Sequence, residues 1–223
     1  MSKHLQRDLN QIERSLSQQA SVVEQMVQTA YRGLRERCLG TAAEILAQES
    51  DLNASEVRIE EECLETLALH QPVAIDLRRT ATAIKINSDL ERIGDLALNL
   101  AERTEALAEH PDVPIPAGLE QMVVRALSML HDAHRAFVTL DVDLAHSVCR
   151  RDDEVDAINR EVIQEIIAAM EKRPDQSAGY LHLFSASRIV ERIGDHATNI
   201  SEDVIYLVEG VITRHRWATY KIA

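Results

Sequence analysis

The pentapeptide Glu-Arg-Ile-Gly-Asp occurs twice, at Glu91 to Asp95 and again at Glu191 to Asp195. On a helix, residues four apart share one face, with a rise of about 6 Å between them. Glu91, Asp95 and Asn99 therefore form one ladder of oxygen atoms, and Glu191, Asp195 and Asn199 form a second. Carboxylates so spaced repel each other unless a positive group stands between them. Arginine, lysine or a metal ion can be that group. All-oxygen donor sets suit hard cations such as magnesium, manganese, calcium or iron. One E-x-x-x-D on a helix is common on solvated faces, whereas two identical copies at equivalent places carry much more information.

The elements that position these ladders read as helices. Apolar residues recur at three- and four-residue steps from Leu5 through Leu9, Ile12, Leu16, Ala20, Val23, Val27 and Ala30 to Leu34, an amphipathic helix. Gly40-Thr41 marks a stop and a new start, with Thr41 as N-cap and Glu44 three residues on in the capping-box pattern. The second helix runs to about Leu69, where Gln71-Pro72 breaks it, and the third from about Val73 to Glu109. Three prolines in HPDVPIP, residues 110–116, form the strongest break. The plan then repeats: helices over about Ala117 to Leu140, Val142 to Met170 (ended by Lys172-Arg173-Pro174), and Ser177 to beyond Glu209.

The halves superimpose as sequences. The pentapeptides are 100 residues apart, and the earlier helices align at 103, with Leu16 on Leu119, Met26 on Met129 and Ala30 on Ala133. The difference of three falls at the Pro72 and Pro174 turns. The expected fold is all-α, a tandem duplication of an antiparallel three-helix bundle with six long helices. Residues 1–110 form the first bundle, 111–116 the Pro-rich connection, 117–215 the second bundle and 216–223 a frayed tail.

The middle helices carry a second set of oxygens. The apolar stripe of the second helix is interrupted at Glu49, Asn53 and Glu56, and that of the fifth at Asp152, Asp156 and Asn159, the same positions shifted by 103. Facing the pentapeptides, Glu49 with Asn53 and Asp152 with Asp156 would complete two cation sites. Asn53 leaves the first one carboxylate poorer, so weaker metal binding is expected there. The alternative is a carboxylate–arginine network drawing on Arg78, Arg92, Arg188 and Arg192. The E-x-x-H pattern of di-iron bundles is absent, and His196, about 100° round the helix from Asp195, reads as a supporting or surface group rather than a ligand. Gly94 and Gly194 each cost a helix about 1 kcal/mol, and the expected return is close approach by a neighbour.

Composition narrows the function classes. Aromatic residues make up 3% and hydrophobic ones 45%, with 7 Gly and 5 Pro, which suits a helical chain with a sizeable core. A formal charge of −13 argues against phosphate-backbone binding and against an anionic membrane surface. Cys38, Cys63 and Cys149 are widely separated, as expected of reduced thiols in a cytoplasmic protein. The segment MSKHLQRDLNQIER lacks the apolar region of a secretory signal, and no apolar run approaches the roughly 20 residues that span a bilayer. There is no Gly-rich phosphate loop, G-x-S-x-G or H-E-x-x-H, so no enzyme activity is expected.

Two segments, CLETLALHQPVAIDLRRTATAIKINSDLERIGDLALNLAER and ERIGDHATNISEDVIYLVEG, resemble the PhoU family, and the likeness covers roughly residues 5–212. The resemblance implies an accessory protein of the phosphate-specific transport system. Such a protein restrains phosphate uptake and represses the phosphate-starvation two-component response. It implies contacts with the transporter's ATPase subunit and with the sensor histidine kinase, and a homodimer. It also implies metal clusters held through the E-x-x-x-D motif, here Glu91, Asp95, Glu191 and Asp195, with iron, manganese, magnesium or zinc as the candidate ions. The leading expectation is thus a metal-binding adaptor. A carboxylate-bundle metalloenzyme or metal-storage protein is the alternative, and a purely structural dimerisation module a third.

Overall fold

The computed structural model describes residues 3–211. They form six α-helices and one short 3-10 turn: α1 Lys3–Glu36, α2 Thr41–His70, α3 Ala74–Ala108, α4 Ala117–Thr139, α5 Val142–Lys172, the turn Pro174–Gln176, and α6 Ser177–Glu209. There is no strand among the described residues. The expected tail and the last residues assigned to the second bundle lie outside them.

Periodicity decides what each helix buries. All nine apolar positions read from the first helix, Leu5 to Leu34, are buried. Turn chemistry decides where helices stop. Gln71 takes a left-handed backbone and its N–H donates to the Leu67 carbonyl, closing α2 before Pro72. Leu140 does the same after α4, and the Asp141 carboxylate then accepts from Leu144 N–H at 3.0 Å to start α5. Gly210, at φ 73°, closes α6.

The start of α2 differs from the capping-box expectation. Gly40, at φ 88°, is the N-cap, and its carbonyl accepts from Glu44 N–H at 3.1 Å. Thr41 is the first helical residue, and its hydroxyl donates back to the Cys38 carbonyl at 2.8 Å. Glycine takes the left-handed cap without strain, and Thr41 is committed elsewhere, packed against Gly33 so tightly that a Cβ there would meet its side chain at 2.5 Å.

Helices α1–α3 form one antiparallel bundle and α4–α6 the other. α3 packs along α6 and α1 touches α4, so one hydrophobic core runs through both, from Leu16, Met26 and Leu90 to Met129, Phe137 and Ile193. Polar ties cross this seam. His196 Nδ1 lies 2.8 Å from Asp89 Oδ1, both buried, and Lys85 Nζ donates to Asp203 at 2.7 Å. The expectation of a surface position for His196 is therefore corrected: facing away from the Asp195 side of α6 points it into the other bundle. Arg37 holds the Pro-rich connection, donating to the carbonyls of Leu107, His110 and Val113 at 2.5–3.1 Å. Among the described residues all three cysteines are free.

Candidate functional site

The duplicated pentapeptides lie in the middle of α3 and α6, each turned toward the middle helix of its own bundle. Ile93, Leu96 and Ala97 are buried, as are Ile193 and Ala197, so core packing fixes the rotation of both helices about their axes. That rotation leaves Glu91, Asp95 and Glu191 half-buried and Asp195 at the rim.

In the first bundle, Glu91 and Asp95 of α3 meet Glu49 and Glu56 of α2. Burial, then Asp95, Glu56 and Glu49, pushes the Glu91 carboxyl above its ordinary range. Burial and Glu49 do the same to Asp95, whose carboxyl is close enough to Glu49 to share a proton with it. Asn53 donates to Glu49 Oε1 at 2.9 Å, and its own buried Oδ1 has no partner. Asn99, one turn on, is exposed and donates to the Asp95 carbonyl at 2.9 Å.

The second bundle repeats the arrangement. Burial, then Asp195 and Asp156, lifts the Asp152 carboxyl to about 6. Burial raises Glu191 against the opposing pull of Arg188, which donates to Glu191 Oε1 at 2.6 Å, while Asp195 and Asp156 add to the rise. Asp195 is raised by burial and by Asp156. Glu191 Oε2 and Asn159 Oδ1 are buried without partners, and Asn199 is half-buried one turn beyond Asp195.

Each site thus gathers four carboxylates: Glu49, Glu56, Glu91 and Asp95 in one, Asp152, Asp156, Glu191 and Asp195 in the other. Glu56 makes good the carboxylate that Asn53 lacks, so the first site is not poorer in number. Sequence reasoning recorded Glu56 and Asn159 as breaks in an apolar stripe without placing them in the site. Of the four arginines of the alternative network, Arg188 alone bonds a motif carboxylate among the described residues. Arg78 instead donates to the Leu207 carbonyl across the seam, and Arg92 and Arg192 are exposed.

The glycines differ. A Cβ on Gly94 would overlap Leu52 Cδ2, so α2 packs directly onto this backbone. A Cβ on Gly194 would find Asp152 and Val155 at an ordinary 3.7 Å. Valine in place of leucine accounts for the difference.

Chemically the donor set fits a hard cation. It is all oxygen, crowded with like charge, partly desolvated, and it includes the orphaned acceptors Asn53 Oδ1 and Glu191 Oε2. Among the described residues, no three His, Cys, Asp or Glu side chains are drawn together into a ready ligand shell. Among them, too, no helix is long and apolar enough to cross a membrane.

Comparison with known proteins bears on the whole chain. The model of the PhoU domain family matches twice, over residues 16–104 and 119–204, the two bundles. The phosphate-specific transport system accessory protein PhoU homolog of Pseudomonas putida is 36% identical over 96% of this chain and 84% of its own length. That of Rhizobium meliloti is 34% identical over 91% and 86%. The crystal structure of PhoU from Pseudomonas aeruginosa superimposes with a TM-score of 0.87 at 35% identity, covering 92% of this chain and 99% of that one. The phosphate transport system regulatory protein PhoU from Streptococcus pneumoniae gives 0.87 at 27% identity, covering 93% and 98%.

Proposed function

Since this chain belongs to the PhoU family, we propose that it is an accessory regulator of a phosphate-specific transport system, a metal-binding adaptor without catalytic activity of its own. It restrains phosphate uptake and holds the phosphate-starvation response off when phosphate is plentiful. Its partners in this reading are the transporter's ATPase subunit and the regulon's sensor histidine kinase, and it acts as a cytoplasmic homodimer. Many of the exposed large apolar side chains lie between Leu39 and Leu77, Leu46, Val57, Leu64 and Val73 among them, which supports a docking role for α2 and the turn after it.

The observation that carries the reading is the pair of equivalent carboxylate clusters bridging α2 to α3 and α5 to α6. Glu49, Asn53, Glu56, Glu91 and Asp95 would hold a cation in the first bundle, and Asp152, Asp156, Glu191 and Asp195 in the second. A bound hard cation supplies the positive charge that these crowded oxygens lack. The residues themselves set how firmly the middle helix of each bundle is tied to the next. That tie positions the outward apolar face of α2.

The test is a phosphate-responsive reporter and phosphate uptake in cells lacking the chromosomal copy. The wild-type chain restores repression in high phosphate, and a Glu91→Ala/Glu191→Ala chain of equal abundance leaves the reporter on. Full repression by the variant would remove the clusters from the regulatory function.

A further inference from the structure

The duplication provides an internal control for a groove on the other side of α2. Between α1 and α2 lies a cavity of about 590 Å³. Its floor is Val22, Leu52 and Ile59, and its walls are amides, Gln18, Gln25 and Gln48 among them. Gln19 lines it too. That side chain is 2% exposed, yet neither its Nε2 nor its Oε1 has a partner. Glu62, at one end, has a buried Oε2 that is also unpaired.

The same position in the second bundle is lined differently. With the offset of 103, Gln19 becomes Met122, fully buried. Val22 and Asp51 become Arg125 and Glu154, which form an ion pair. Gln48 and Thr29 become Arg151 and Asp132, bonded at 2.7 Å. Ser15 becomes Gly118, where a Cβ would stand 2.6 Å from Val162, so α4 and α5 approach closely. The hollow that remains there, about 560 Å³, is lined among others by Gln121, Arg125, Ser128 and Arg151, the counterparts of Gln18, Val22, Gln25 and Gln48. The second groove has lost the buried amide and carries ion pairs between its two helices, whereas the first keeps Gln19 buried with both amide atoms unpaired.

Shape and charge select the occupant. Residues 11–25 of α1 and 48–62 of α2 run side by side for about 21 Å. Spread over that length, the cavity is too narrow for a helix of roughly 10–12 Å diameter. It admits an extended chain of about six residues at ~3.3 Å each. Main-chain N–H and C=O groups are the natural partners for a row of glutamine amides. At the Glu62 end a second hollow of about 270 Å³ brings Asp8 and Glu65 alongside, and acidic side chains outnumber Arg7 and Arg58. We propose that the α1/α2 groove binds an extended, basic peptide segment of a partner protein, its backbone on the glutamine amides and a lysine or arginine at Glu62. The carboxylate clusters take no part in this, since they lie on the α3 side of α2, and either reading can fail alone.

The test uses the full chain and a positional-scanning library of N-acetylated, C-amidated hexapeptides. The expected result is enrichment of Arg or Lys, and exclusion of Glu, at one position. Gln19→Met/Val22→Arg copies the residues of the second half, keeps the fold by circular dichroism, and weakens the selected peptides at least tenfold. Glu62→Gln keeps binding but removes the preference for a basic residue. Absence of enrichment, or equal binding by the Gln19→Met/Val22→Arg variant, overturns the proposal. So does tighter binding by a peptide of residues 212–223, which would assign the groove to the chain's own end.

Discussion

Two identical glycines in two identical pentapeptides should respond oppositely to the same substitution. Replacing a mid-helix glycine by alanine gains about 1 kcal/mol of helix propensity. At Gly194 nothing opposes this, because the nearest atoms to the new methyl are 3.7 Å away. Gly194→Ala should therefore stabilise by up to ~1 kcal/mol. At Gly94 the methyl overlaps Leu52, which is 2% exposed and packs onto α3 from the floor of the α1/α2 groove. Overpacking costs about 1–3 kcal/mol, so the net effect of Gly94→Ala is destabilisation by roughly 1 kcal/mol. Urea unfolding of chelator-treated protein reads both, with midpoints moving in opposite directions by some tenths of a molar. Leu52→Ala costs about 2–5 kcal/mol by itself, but in that background Gly94→Ala should turn stabilising. Two shifts of the same sign, or a Gly94→Ala penalty that survives Leu52→Ala, would refute this account of the helix contact.

Three further outcomes follow from the seam and the connection. Arg37→Ala removes three charge-assisted bonds to the connection, leaving the Leu107 and His110 carbonyls their backbone donors, and should lower stability by about 1–3 kcal/mol, with early proteolysis within residues 110–116 as the readout. His196→Ala leaves the buried Asp89 carboxylate uncompensated and should cost about 3–5 kcal/mol, most of it recovered in the double variant with Asp89→Asn, read by thermal unfolding. His134, half-buried between the bundles beside Ser17 Oγ at 3.0 Å, is held below its ordinary value by desolvation and then by His131. Below about pH 6.5 the unfolded chain takes up that proton first. Stability is therefore full above this pH and falls as pH drops toward the lower folded value, a slope that His134→Gln should flatten.

Much of the architecture was legible because helix period and proline placement are local signals. Pro72, the prolines of residues 110–116 and Pro174 mark the breaks between helices, and Leu5 to Leu34 write the buried face of α1 directly. The repeat made the site partly legible too, since Glu49 and Asp152, or Asn53 and Asp156, stand out only when the halves are aligned. What stayed hidden depends on packing between elements distant in sequence. His196 reads as a supporting or surface group and Asp89 and Asp203 carry no periodic signal of their own, yet all three are buried where α3 meets α6. The different surroundings of Gly94 and Gly194 turn on one residue, Leu52 against Val155, forty residues away. Thr41 gave a false cap because its hydroxyl is claimed by Cys38 and its side chain by Gly33, neither of which a capping pattern contains.

The most direct measurement is elemental analysis of the chain purified without chelator or metal-affinity resin, beside the Glu91→Ala/Glu191→Ala variant. A metal-binding adaptor requires iron, manganese, zinc or magnesium at or above stoichiometry in the wild type, lost in the variant while the helical signal is retained. Metal-free wild type, or equal metal in both proteins, would contradict it and leave the duplicated carboxylates as features of packing and partner binding.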